Sequence, residues 1–223
     1  MLTWFSINTL PHRICVDPGV SFKIMLSFDP IRNAKMLIIA YSAWVKEYLQ
    51  KDWSGHLMTF MFNPLRGSLL EKNRQMKSEI EGVFSSLLTR VVRRPQAHDA
   101  NLPFLLSAPD WPVHKADKKA MLDVIINDGL HHHGILLLPP PGRHHRLKCP
   151  IEQHFRDLQD YYVRDQLLKS IDARAFPWED AANVTDYALK GLKTNRISYD
   201  EAMLVLPTNH PTRRPYLKDA NRE

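Results

Sequence analysis

The chain reads as an α+β protein: an antiparallel β-sheet of about five strands with helices packed on it, and a histidine-bearing strand at its centre. Three observations predict this. Short apolar runs such as Leu57–Phe62, Leu102–Leu106 and Ile135–Leu138 are bounded by glycine, asparagine and proline, as strands are. Longer segments between them carry apolar residues at three- and four-residue steps, the period of a helix with one buried face. Finally, Asn127-Asp128-Gly129 between Leu122–Ile126 and the histidines has the chemistry of a hairpin loop, Gly129 suiting its left-handed position.

A length of 223 residues suits one domain of moderate size with a core of its own. The formal charge is +6, and eleven histidines stand beside it. That excess favours a polyanionic partner such as nucleic acid. Cys15 and Cys149 form neither a disulfide framework nor a metal-binding pair, which fits a reducing cytosol. No apolar run reaches the length of a membrane span, and the start lacks the regions of a signal peptide. A soluble cytoplasmic protein is expected.

Residues 1–30 are interrupted by Pro11, Pro18 and Pro30 and hold no steady period. They read as an irregular extension or an overlong start, with Met25 and Met36 each preceding more regular sequence. Residues 31–50 read as a helix on the stripe Ala34, Leu37, Ile38, Tyr41, Trp44, Val45, Tyr48 and Leu49. Gly55 ends that segment, and His56–Phe62 follows as a central strand closed by Asn63-Pro64.

Residues 68–94 read as the clearest helix. Ser68 and Glu71 have capping-box spacing, Ile80, Val83, Phe84, Leu87, Leu88, Val91 and Val92 mark the buried face, and Pro95 stops it. Arg90, Arg93 and Arg94 suit the helix dipole at its last turn, or equally a phosphate. Leu102–Leu106 is a short strand, and 109–119 reads as irregular surface rich in proline and then lysine.

The stretch Asp128–Pro139 runs three histidines into Ile135, Leu136, Leu137 and Leu138 before a triple proline. Strand side chains alternate faces, so His131 and His133 share one face while His132 points to the other, a passenger. Two imidazoles so placed make half a metal site. With 127–129 as the loop, Asp123 lies opposite His133 and supplies a carboxylate; a two-residue loop turns it away, leaving Asp128 in reserve. After the strand, Arg143, His144, His145, Arg146 and Lys148 form a basic loop able to hold a phosphate backbone beside such a site, or merely a solvated one.

Pro150 to about Tyr162 reads as a helix, Leu167–Ala173 as a strand and Ala181–Lys193 as a helix burying Val184, Ala188 and Leu192. Tyr187 and Lys190 share a face of that last helix. Met203–Leu206 adds a strand or a helical turn, and 208–223 is a frayed tail.

The apolar strand Leu57–Phe62, the His-x-His strand and the helical Tyr-x-x-Lys, in this order, resemble the HUH endonucleases, in particular rolling-circle replication initiators of plasmids and phages. The Asp-Gly-Leu-His-x-His-Gly strand and Thr-Asp-Tyr-x-Leu-Lys helix are also similar to those of bacterial mobile-element proteins. The resemblance covers roughly residues 55–207, within a nuclease domain of 31–207. It implies a metal-dependent nickase and strand transferase acting on single-stranded DNA or an origin hairpin. His131, His133 and a third polar ligand, which the resemblance does not fix and for which the hairpin register offers Asp123, would hold Mg²⁺ or Mn²⁺. Tyr187 would form a 5′-phosphotyrosine link, assisted by Lys190, with Arg143, Arg146, Lys148 and Lys193 on the nucleic acid. A bulky apolar residue is usual where His132 stands, and no helicase-type phosphate loop follows, so unwinding would need a host helicase. A non-catalytic basic DNA-binding protein on the same fold and a zinc-dependent hydrolase or structural zinc protein remain alternatives.

Overall fold

Helix α1 (Pro30–Leu49) buries Ala34, Ile38, Tyr41, Trp44 and Val45, the stripe that its periodicity predicts. The structure is a computed structural model, and it describes residues 30–96, 101–110, 130–143, 145–164 and 167–208. The expected N-terminal extension, the 122–126 strand with its 127–129 loop, and most of the tail lie outside the described residues.

Strand β1 (Ser54–Phe62) starts earlier than the punctuation implies, because Gly55 lies inside it. A β-carbon there would come within 2.8 Å of both Leu49 and Phe176, so glycine lets α1 and a neighbouring strand close on β1. Helix α2 (Leu69–Val91) begins as predicted, with the Ser68 hydroxyl accepting from the Glu71 amide at 3.2 Å. It ends at Val91 rather than 94: Val92 is extended and bridges to His145.

Strand β2 is Phe104–Asp110, not 102–106, and so absorbs the proline that read as a breaker. Pro109 sits where the strand's second neighbour has ended, since that neighbour pairs only with Leu105–Ser107. A strand tolerates a missing donor at such an edge. Strand β3 is His131–Leu138. The predicted 150–162 helix is two, α3 (Ile151–Asp157) and α4 (Gln159–Val163), broken at Leu158. Strand β4 (Leu168–Phe176) runs three residues past the expected end. Helix α5 (Ala181–Ala188) passes into a 3₁₀ turn, Lys190–Thr194, and α6 (Tyr199–Ala202) leads into β5 (Leu204–Leu206).

The five strands form one antiparallel sheet in the order β4-β1-β3-β2-β5, so the histidine strand is the central one. Helices cover both of its faces. Leu136 and Leu138 join α2, Ile151, Phe155 and Tyr162 in one core. Ile135 and Leu137 join α1, Ala188, Leu189 and Leu192 in the other. Burial on both sides explains why β3 is a continuous aliphatic run, each such side chain contributing about 1.5–3 kcal/mol. Among the described residues, no helix is long and apolar enough to cross a membrane.

Candidate active site

Alternation along β3 separates the three histidines as parity requires. His131 and His133 bring their Nε2 atoms to 3.0 Å, with the rings nearly perpendicular at 89°. His132 points into the α2 core and is fully buried. It is not a passenger, for both ring nitrogens are bonded. Asn73 on α2 donates to the Glu201 carbonyl at 2.6 Å, which fixes its amide and turns Oδ1 toward His132 Nε2 at 3.0 Å. Nε2 must then carry the proton, and Nδ1 lies 2.8 Å from the Ser107 hydroxyl, whose one proton also reaches the His133 carbonyl at 3.0 Å. Burial, followed by the charges of Lys77, His131 and His133, drives the His132 pKa well below the ordinary histidine value, so the ring stays neutral.

The carboxylate beside the pair is Asp110. It stands opposite His131 in the β2–β3 ladder, and its Oδ2 lies 3.4 Å from His131 Nε2 and 3.6 Å from His133 Nε2. The ligand atoms of Asp110, His131 and His133 all lie within 4.8 Å of one another, a group that could hold a metal ion. Donors about 2.0–2.2 Å from one shared ion sit roughly 3–3.6 Å apart in tetrahedral or octahedral arrangements, so the observed spacings fit. On the far side of the pair, His133 Nδ1 meets Thr59 Oγ1 of β1 at 3.2 Å. That contact fixes the ring's rotation and leaves Nε2 for the shared site.

Helix α5 and the turn after it bring up the rest. The Tyr187 ring centroid is 4.7 Å from that of His133, with the ring still 45% exposed. Lys190 Nζ lies 4.1 Å from the Tyr187 centroid and 2.8 Å from Asp110 Oδ2, so one ammonium bridges tyrosine and carboxylate. The turn reaches β2 because residue 191 is glycine: a β-carbon there would fall 1.8 Å from the Pro109 carbonyl oxygen. Burial alone would raise the Asp110 carboxyl. The approach of His133 and the hydrogen bond from Lys190, with the charges of Lys190 and His131, outweigh it and hold the group below the usual carboxylate range.

Sequence reading therefore placed His131, His133, Tyr187 and Lys190 together, as they are, and missed Asp110 and Thr59. Asp123 lies outside the described residues; the residues opposite His133 in the sheet are Thr59 and Ala108. The basic loop is a correction. Arg146 bonds through its backbone to Val91 at the end of α2, whereas the histidines lie by Asn73 near its start. Eighteen helical residues separate those points, on the order of 27 Å. Arg143, Arg146 and Lys148 are thus at the other end of β3 from the histidine pair. Lys193 does lie on the tyrosine's turn, paired with Asp186 at 2.5 Å. Comparisons with protein-family models, curated proteins and solved structures found no match to this chain.

Proposed function

We propose that the protein is an HUH-type nickase and strand transferase that cleaves single-stranded DNA through a tyrosine-linked intermediate, as in the initiation of rolling-circle replication. One observation carries the reading: Tyr187 lies against His133 while Lys190, one turn on, reaches Asp110 of the same cluster. A tyrosine, a cation and a two-histidine, one-carboxylate group converge from three elements far apart in sequence. The motif order of apolar strand, His-x-His strand and Tyr-x-x-Lys helix supports it further.

Asp110, His131 and His133 would hold the divalent ion; two imidazoles beside one carboxylate favour Mn²⁺ over Mg²⁺. Once bound, such an ion acts as a Lewis acid on the scissile phosphate. The Tyr187 oxygen attacks phosphorus, forming one P–O bond as the bond to the 3′ oxygen breaks. The phenol proton is released and the leaving oxygen gains one, giving a free 3′-hydroxyl. One phosphodiester replaces another, so a later attack by a 3′-hydroxyl can rejoin the strand without ATP. Lys190, 4.1 Å from the Tyr187 ring centroid, would hold the negative charge that develops on the phenol oxygen. His133 is kept in register by Thr59, and Asp110 by Lys190.

Incubating the protein with Mn²⁺ and circular single-stranded DNA tests the reading on a denaturing gel. The proposal expects a protein–DNA adduct that Tyr187→Phe abolishes and that fails to form in His131→Ala/His133→Ala. DNA binding without any adduct would instead support the non-catalytic alternative, and stoichiometric, tightly held zinc the hydrolase.

A further inference from the structure

The cations that sequence order attached to the histidine site gather around a different feature. Arg90, Arg146 and Lys148 line an open cleft of about 590 Å³, together with His154 and Tyr161. The Arg90 guanidinium lies 4.4 Å from the Tyr161 ring centroid, a cation–π contact that holds it at the cleft wall. Arg146 is anchored by its backbone to Val91 at 2.8 Å and by its guanidinium to the Thr89 carbonyl at 3.4 Å.

Several surface cations elsewhere have a carboxylate partner: Lys51 has Glu47, Arg74 has Glu201, Arg174 has Asp172 and Lys193 has Asp186. Among the described residues, Arg90, Arg146 and Lys148 have no carboxylate partner. Exposed Arg93, Arg94 and Arg143 extend the same positive surface beyond the cleft. Three uncompensated cations around one concavity, continued by three more, match a chain of phosphates better than a single one.

We infer that this cleft is a second, metal-independent site that binds the phosphodiester backbone of nucleic acid. It lies on the α2 side of the sheet, whereas Tyr187 lies on the α1 and α5 side. From Asn73, beside His132, to Arg90 is seventeen helical residues, on the order of 26 Å. The phosphates held here are therefore not the one facing Tyr187, and the cleft serves as an anchor for a distant segment of the DNA. Only the identity of the polyanion rests on the proposed nickase reading.

The test uses the full chain carrying Tyr187→Phe, a labelled oligothymidylate and EDTA, with affinity followed by fluorescence anisotropy across a salt series. Each phosphate contact on a single strand adds about 0.7 to the slope of log K against log salt. Arg90→Gln/Arg146→Gln/Lys148→Gln should weaken binding and reduce that slope by about 2. Lys35→Gln/Lys51→Gln/Lys169→Gln removes equal charge outside the cleft and should leave the slope unchanged. Should the cleft triple fail to fold, Lys148→Gln alone should lower the slope by about 0.7. An unchanged slope, or equal losses from both triples, would overturn the site. So would displacement of the oligonucleotide by inorganic phosphate or thymidine monophosphate at equal phosphate concentration. A cleft-dependent slope without any Tyr187 adduct would reject the nickase and keep the cleft; an adduct with an unaffected slope would do the reverse.

Discussion

His132 stands between two histidines of the candidate site yet belongs to the core. Truncation to alanine strips Asn73 and Ser107 of buried partners and leaves a cavity. Those penalties predict a loss of about 2–4 kcal/mol in urea unfolding for His132→Ala. His131→Ala, at the partly exposed rim, should cost under about 1 kcal/mol while weakening Mn²⁺ binding. Equal stability losses for the two would contradict this division. Asp110→Asn should lower Mn²⁺ affinity by calorimetry by more than the roughly 10–100-fold typical of a lost outer partner. Affinity that survives the change would remove Asp110 from the ligand set. The parity of His131 and His133 was legible in the sequence because alternation is local. Asp110 was not, because its place opposite His131 depends on pairing between strands separated by residues 111–130. Its one local signal was the continuation of Leu105-Leu106-Ser107-Ala108 toward it, and Pro109 masked that signal.

At the scale of elements, the close approach of the Lys190–Thr194 turn to β2 decides whether tyrosine and carboxylate meet. Gly191→Ala places a β-carbon on the Pro109 carbonyl, and backbone must move. The expected outcome is a loss of about 1–3 kcal/mol in unfolding free energy together with loss of adduct formation. Gly82→Ala in exposed mid-helix α2, where a β-carbon meets nothing within 4 Å, should instead stabilise by about 1 kcal/mol. A neutral Gly191→Ala would show that the turn is not what holds Lys190 at Asp110. Helices α1 and α2 were legible from period and capping, and β3 from its aliphatic run. The break at Leu158 carries no glycine or proline, and Gly191 comes only inside the 3₁₀ turn after α5 has ended, so periodicity ran through both. Sequence adjacency misled at β3, since residues just after an eight-residue strand lie at its far end from those that begin it.

Across the whole molecule, buried histidines make stability depend on pH. Burial lowers His56, partly offset by Glu152, lowers His154 with help from Arg90, and lowers His132. With folded pKa values below the ordinary 6.5, the unfolded chain binds protons first as pH falls. This stability is complete above about pH 6.5 and declines as pH drops through the folded values. Urea midpoints should therefore fall between about pH 8 and about pH 5.5; a flat or rising midpoint would contradict the buried neutral assignments. The same molecular scale separates two sites, with Tyr187 at one end and face of the sheet and the Arg90 cleft at the other.

Two tyrosines, Tyr187 and Tyr161, are about half exposed, the first beside the histidine pair and the second in the basic cleft. The direct measurement is mass spectrometry of the nuclease-trimmed adduct formed with Mn²⁺ and single-stranded DNA. A nucleotide joined through a 5′ phosphate to Tyr187, absent from Tyr187→Phe, is the result expected. A nucleotide on Tyr161, or no covalent nucleotide on any tyrosine of a protein that binds both Mn²⁺ and DNA, would contradict the account.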